Sequence, residues 1–211
     1  MPVLLVLSFV MKNEPILETE RTTVACMDPN HIDLMMQLFS IEKIQATIWI
    51  NENITLQNNK GFSTFNVFDK KTGKYIGYCG CREIKLKDNL EVELIWSIFK
   101  EYKEDDIDVE VLFAVRNYMF KHFNINSLVA VISMKEPQNM NVVEAIDMKV
   151  EYTFFEGFHK FYVYSVHRSS ENFKASFGDG ESGARLNTTL KRDEYSPSFI
   201  RNLRRPRPRP R

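Results

Sequence analysis

The chain is poor in the residues that usually announce chemistry. Three cysteines, Cys26, Cys79 and Cys81, occur in 211 residues. An odd, sparse count argues against a disulfide framework and for reduced thiols in a reducing compartment. Cys79 and Cys81 flank one glycine, and a metal site there would need two further ligands that the neighbouring sequence does not supply. They read as small buried hydrophobes. Four histidines, His31, His122, His159 and His167, are scattered, with neither metal spacing nor a Ser–His–Asp pattern. No apolar run approaches the roughly 20 residues that span a bilayer. Val3 to Met11 is mostly apolar, but it lacks a basic leader and a small-residue cleavage site. Residues 1–11 are therefore expected to be an N-terminal extension, on a cytoplasmic protein with no membrane span and no metal.

What the chain does have is unevenly charged. Lys+Arg and Asp+Glu number 28 each, but from His167 onward there are 11 basic and 5 acidic residues, leaving 17 basic and 23 acidic before it. An acidic body is a poor nucleic-acid binder, because phosphate affinity comes from basic surface. The stretch 167–211 is expected to be a disordered basic tail, ending in Arg204-Arg205-Pro206-Arg207-Pro208-Arg209-Pro210-Arg211, where each proline removes a backbone donor. Such a tail suits RNA, an acidic partner such as an acidic membrane surface, or the acidic body itself, or it is simply solvated.

Periodicity organises residues 12–166 into one domain. Leu17 to Ala25 reads as a strand. Asp28-Pro29 starts a helix to Phe39 with Ile32, Met35, Met36 and Phe39 in phase, and a weaker helix covers Ile41 to Glu52. Phe62–Phe68, Tyr75–Leu86 and Leu90–Phe99 read as an antiparallel meander joined by turns at Asp69–Lys74 and Lys87–Asn89. Val109–Phe123 is apolar on most sides, as expected of a helix packed on a sheet. Ser127–Ile132 is a short buried strand, Pro137–Met148 carries a short helix, and Tyr152–Phe155 with Phe161–Val166 forms a last hairpin. The aromatic residues of that hairpin read as core and interface.

Three blocks in this order carry a resemblance. They are Leu17-Glu18-Thr19-Glu20-Arg21, the stretch from Phe68-Asp69-Lys70-Lys71-Thr72-Gly73 to Gly80, and Glu93-Leu94-Ile95-Trp96 onward to Glu110. Their sequence and spacing resemble the GNAT superfamily, most closely its ribosomal-protein N-terminal acetyltransferase branch, over about Leu17 to Val166. The resemblance implies an α/β (α+β) fold: a central mixed, mostly antiparallel sheet with helices on both faces. It implies an N-acyltransferase that moves an acetyl group from acetyl-CoA to a primary amine, either a protein N-terminus or a small amine.

By the same resemblance, acyl-coenzyme A would lie between two splayed strands, with its pyrophosphate on backbone N–H groups at a helix N-terminus. The backbone at Ile98 or Phe99, on a bulged strand, would polarise the thioester carbonyl. Glu93 would be the base, unless it is an ordinary solvated or ion-paired strand residue. Tyr152 is the candidate acid for the leaving thiolate, with Ser133 beside it. The pyrophosphate loop corresponds to Lys103-Glu104-Asp105-Asp106-Ile107-Asp108. Here Asp106 and Asp108 stand where the family carries glycine or another small residue. Four carboxylates in six positions oppose an anion, and aspartates in a first helical turn are also ordinary caps. Asn139 in Glu136-Pro137-Gln138-Asn139 corresponds to a cofactor contact, or is a turn former. The alternative to the enzyme is therefore a catalytically degenerate GNAT-fold binding or regulatory protein with weak or no coenzyme A binding.

Overall fold

The computed structural model describes residues 15–103 and 106–168. The expected extension 1–11 and the tail from residue 169 lie outside the described residues. In chain order the elements are β1 (Leu17–Glu18), β2 (Thr22–Cys26), α1 (Ile32–Phe39), α2 (Lys43–Lys60), β3 (Thr64–Asp69), β4 (Tyr75–Leu86), β5 (Asn89–Ile98), α3 (Ile107–His122), β6 (Ser127–Ser133), α4 (Pro137–Ala145), β7 (Lys149–Glu156) and β8 (His159–His167). One eight-stranded sheet runs in the order β1-β2-β3-β4-β5-β6-β8-β7. Every neighbouring pair is antiparallel except β5 with β6.

Local chemistry accounts for most boundaries. Asp28 caps the Pro29–His31 turn through Asn30 N–H, 2.7 Å away, and the turn leads into α1. The single strand expected over Leu17–Ala25 is instead a hairpin. Thr19 Oγ1 accepts from Thr22 N–H at 2.8 Å and folds the chain back. Helix α2 runs two turns past the expected Glu52, although its second half is polar. Asn53, buried on its inner face, donates to Trp49 O and accepts from Thr64 N–H, which stitches that half to β3. Strand β8 continues through His167. The next residue, Arg168, donates to the Phe120 and Phe123 carbonyls at the end of α3, where a cation is favoured.

Alternation along the strands divides the core in two. Leu94, Trp96 and Ile98 of β5 pack on one face with Val111, Leu112 and Val115 of α3 and Val142 and Val143 of α4. Tyr78 and Ile95 face the other way, against Met35 of α1 and Ala46, Trp49 and Ile50 of α2. Beyond those two helices a smaller cluster of Ile84, Val129 and Val163 lies on the same face.

Two glycines of the Phe68–Gly80 block let β3, β4 and β5 approach. A Cβ on Gly77, at φ 149°, would lie 2.1 Å from Ser97 O, and one on Gly80 would lie 2.3 Å from Ser63 O and 2.5 Å from Thr64 Cα. The obstacles are backbone atoms, which cannot rotate away. Gly80→Ala is therefore expected to cost about 2 kcal/mol or more. A urea unfolding midpoint that does not move would show that these strands are not held so closely.

Candidate active site

The one parallel junction of the sheet is where a site can form. β5 and β6 share a single register pair, Glu93↔Val129, whereas β6 pairs with β8 from Ser127↔His167 to Ser133↔Phe161. Past Glu93 the two strands part, leaving a gap between the C-terminal half of β5 and β6. Antiparallel pairing alternates its hydrogen bonds between successive residues. Phe99 N–H donates to Ile76 O at 2.8 Å, so its donor faces β4. The N–H groups of Trp96 and Ile98 therefore face the gap. Of the two oxyanion donors expected, Ile98 N–H faces the gap and Phe99 N–H is committed to Ile76 O. The expected bulge is not in β5, whose ten pairs with β4 run in unbroken register; the shift lies between Val67 and Phe68 of β3.

Glu93 sits at the narrow end of this gap and is 4% exposed. Arg82 lies directly opposite on β4, and its Nε and Nη2 each come within 2.6 Å of Glu93 Oε2. The ion-paired form of Glu93 is thus the one present. Arg82 escaped the sequence reading, although a two-residue turn after Leu86 is enough to count it into register with Glu93.

Tyr152 lies on β7 under Lys87, whose Nζ is 3.6 Å from the ring centroid. It lines a cavity of about 140 Å³ with Leu86, Glu91, Val129 and Glu151. Burial raises its phenol pKa, and the Glu151 and Glu91 charges add to the rise. This cavity adjoins the start of β5, at the opposite end of the strand from Ile98. The structure therefore brings Tyr152 near the Val129 end of the gap and not near Ile98. Ser133 closes β6, with its Oγ accepting from Lys135 N–H.

At the other end stands α3. Asp106 precedes it at φ 54°, the left-handed conformation that glycine adopts freely and aspartate tolerates. The backbone shape of a glycine is kept under a different side chain. Asp108 is 4% exposed, and its Oδ1 accepts from Val109 N–H at 3.0 Å. Burial raises its carboxyl pKa, the Val109 hydrogen bond and the Lys103 charge oppose that rise, and Asp106 adds to it. Its charge also helps to push the buried Cys79 thiol upward, after burial itself. Ile107 is buried in the core, which leaves only its backbone for a ligand. Glu104 and Asp105 lie outside the described residues.

These residues do not fit a pyrophosphate. A donor that the anion would use already serves Asp108, and two carboxylates stand at the helix start. The far end of the expected cofactor track differs. Asn139 in the first turn of α4 donates from Nδ2 to Glu136 Oε2 at 3.3 Å, while its Oδ1 is buried without a hydrogen-bond partner among the described residues. Among the described residues no group of three potential metal ligands gathers, and no helix is long and apolar enough to cross a membrane.

The Arg82–Glu93 pair generates a test. Removing one partner strands a nearly buried charge, so Arg82→Ala is expected to lose about 3 kcal/mol. The double change Arg82→Leu with Glu93→Leu is expected to recover most of it. Urea denaturation of the three proteins checks this, and equal stability of Arg82→Ala and the wild type would contradict it.

Comparison with known proteins agrees with this geometry. A family model described as an acetyltransferase (GNAT) domain matches residues 20–149. The uncharacterised protein YkkB of Bacillus subtilis (strain 168) is 23% identical over 144 residues, covering 63% of this chain and 84% of YkkB. The ribosomal L7/L12 α-N-protein acetyltransferase RimL, solved with coenzyme A, superposes with a TM-score of 0.64 at 12% identity, over 73% of this chain and 98% of RimL. The ribosomal-protein-S5-alanine acetyltransferase of Vibrio fischeri gives a TM-score of 0.63 at 15% identity, over 73% and 97%. With the family model spanning most of the described fold around a parted β5–β6 junction, the chain belongs to the GNAT acetyltransferase family.

Proposed function

We propose that this protein is a GNAT-type N-acyltransferase that delivers an acyl group to a primary amine, a protein N-terminus or a small amine, and that holds coenzyme A itself only weakly. One observation carries the reading. The parallel pairing stops at Glu93↔Val129, leaving a gap with a carboxylate at its narrow end and the Ile98 N–H facing it. Those are two of the three chemical needs of aminolysis, a group that takes the amine proton and a donor for the tetrahedral oxyanion; the third is an acid for the leaving thiolate. Glu93 takes the proton directly or through a water, with Arg82 fixing its orientation. The RimL name records action on the N-terminus of a ribosomal protein, which supports a protein N-terminus as one acceptor class. A cytoplasmic setting agrees with free Cys26, Cys79 and Cys81, and the basic tail suits an acidic or RNA-bearing partner.

A second reading has its own support. Asp108 turns the start of α3 into a self-capped helix, as expected of a GNAT-fold binding or regulatory protein that no longer performs the reaction. The two readings part on turnover. With acetyl-CoA at millimolar concentration and a library of short peptides bearing free N-termini, mass spectrometry is expected to detect N-acetylated products. Glu93→Gln is expected to lower kcat by about a hundredfold with a smaller change in KM. Absence of product from the folded wild-type protein would leave the second reading.

A further inference from the structure

Tyr152 lies away from Ile98, and its surroundings fit another task. It lines the cavity of about 140 Å³ together with Lys87, Glu91, Val129 and Glu151. Val129 is also the register partner of Glu93, so the cavity adjoins the proposed base. Glu91 precedes Glu93 by two residues on β5 and shares its face, about 7 Å away along the strand. On β7 the register shifts between Val150 and Tyr152. The extra residue breaks the alternation of the strand, and the consecutive residues Glu151 and Tyr152 both line the cavity. The Lys87 ammonium already rests on the Tyr152 ring, 3.6 Å from its centroid. A tyrosine ring face attracts a cation, and nearby carboxylates add to that attraction. Neither Glu91 nor Glu151 lies in an ion pair among the described residues. The lining therefore sets two negative charges against one positive charge.

We infer that this cavity receives a second positive charge of the acceptor, so that the preferred acceptor is a primary amine bearing another cationic group about 7 Å from the nitrogen that is acylated. The inference rests on the acyltransfer reading above and narrows its acceptor. The reacting amine meets Glu93 while the other cation lies on the Tyr152 ring between Glu91 and Glu151. Lys87 is exposed, and it leaves the ring for water when the acceptor arrives. The amine nitrogen bonds to the acyl carbon as the carbon–sulfur bond breaks, and the amine proton, taken by Glu93, ends on the departing sulfur. No oxidant or reductant enters. A neutral acceptor gains nothing from the cavity, and an acidic one meets charges of its own sign. Two sources share the favoured chemistry: a protein N-terminus followed by a basic residue, and a small diamine.

Acceptor competition with the full chain and millimolar acetyl-CoA tests this directly. The probes are the tripeptide amides Ala-Lys-Ala, Ala-Ala-Ala and Ala-Glu-Ala, with 1,5-diaminopentane and 1-aminopentane as the small amines. The lysine peptide is expected to show a kcat/KM about tenfold above that of the alanine peptide, with the glutamate peptide lowest. Glu151→Lys is expected to invert the order in favour of the glutamate peptide, which a loss of folding would not do. Lys87→Ala is expected to lower KM for the lysine peptide about threefold, because the ring face is freed. A higher kcat/KM for diaminopentane than for the lysine peptide assigns the small diamine; the reverse assigns the protein N-terminus. Equal kcat/KM for the three peptides, with diaminopentane no better than aminopentane, overturns the inference and leaves the acyltransfer reading standing. Absence of product from every acceptor overturns both.

Discussion

A helix N-terminus offers a few unpaired N–H groups and a fraction of a positive charge. Those donors can serve a ligand anion or a side chain of the helix itself, and the same donor cannot serve both well. In this protein Asp108 is nine-tenths buried against the sheet and bonded to Val109 N–H. The functional account follows from that occupancy. The fold keeps the parted β5–β6 junction of its family, while at the start of α3 one N–H, that of Val109, is already held by Asp108. The left-handed backbone at Asp106 preserves the turn, so what differs is the side-chain charge and bulk carried on it.

The rest of the sheet serves to hold that gap at a fixed width. Backbone contacts at Gly77 and Gly80 clamp β4 between β3 and β5, and the Arg82–Glu93 pair crosses the same strands near the point where β5 and β6 part. α3 and α4 close one face with a continuous apolar core, and α1 and α2 close part of the other. The gap is thus a consequence of strand pairing: β6 is drawn fully into register with β8, and it meets β5 at one residue.

Much of this was legible before any coordinates. The limits of β4 are those expected, because the Asp69–Lys74 and Lys87–Asn89 turns carry unambiguous punctuation. Asp28-Pro29 opened the first helical stretch as expected, and the family pattern put Asp106 and Asp108 at the helix start. Other features depended on contacts distant in sequence. The Thr19 turn that splits the first strand uses a side-chain acceptor that no periodicity reports. The polar half of α2 is helical because buried Asn53 finds Thr64. The commitment of Phe99 N–H to Ile76 follows from the parity of the β4–β5 ladder, and the orphaned Asn139 oxygen follows from packing alone. No pattern in the sequence says which end of β5 Tyr152 faces; strand order sets it at the hairpin end.

The most direct test of the central claim is a titration of isotope-labelled protein with inorganic pyrophosphate, read at the backbone amide signals of Ile107, Asp108 and Val109. Val109 N–H held by Asp108, with the Asp106 and Asp108 carboxylates at the helix start, predicts no saturable shift at these three amides up to millimolar ligand. Saturable, localised shifts there would show that α3 still receives an external anion, and the account would be wrong.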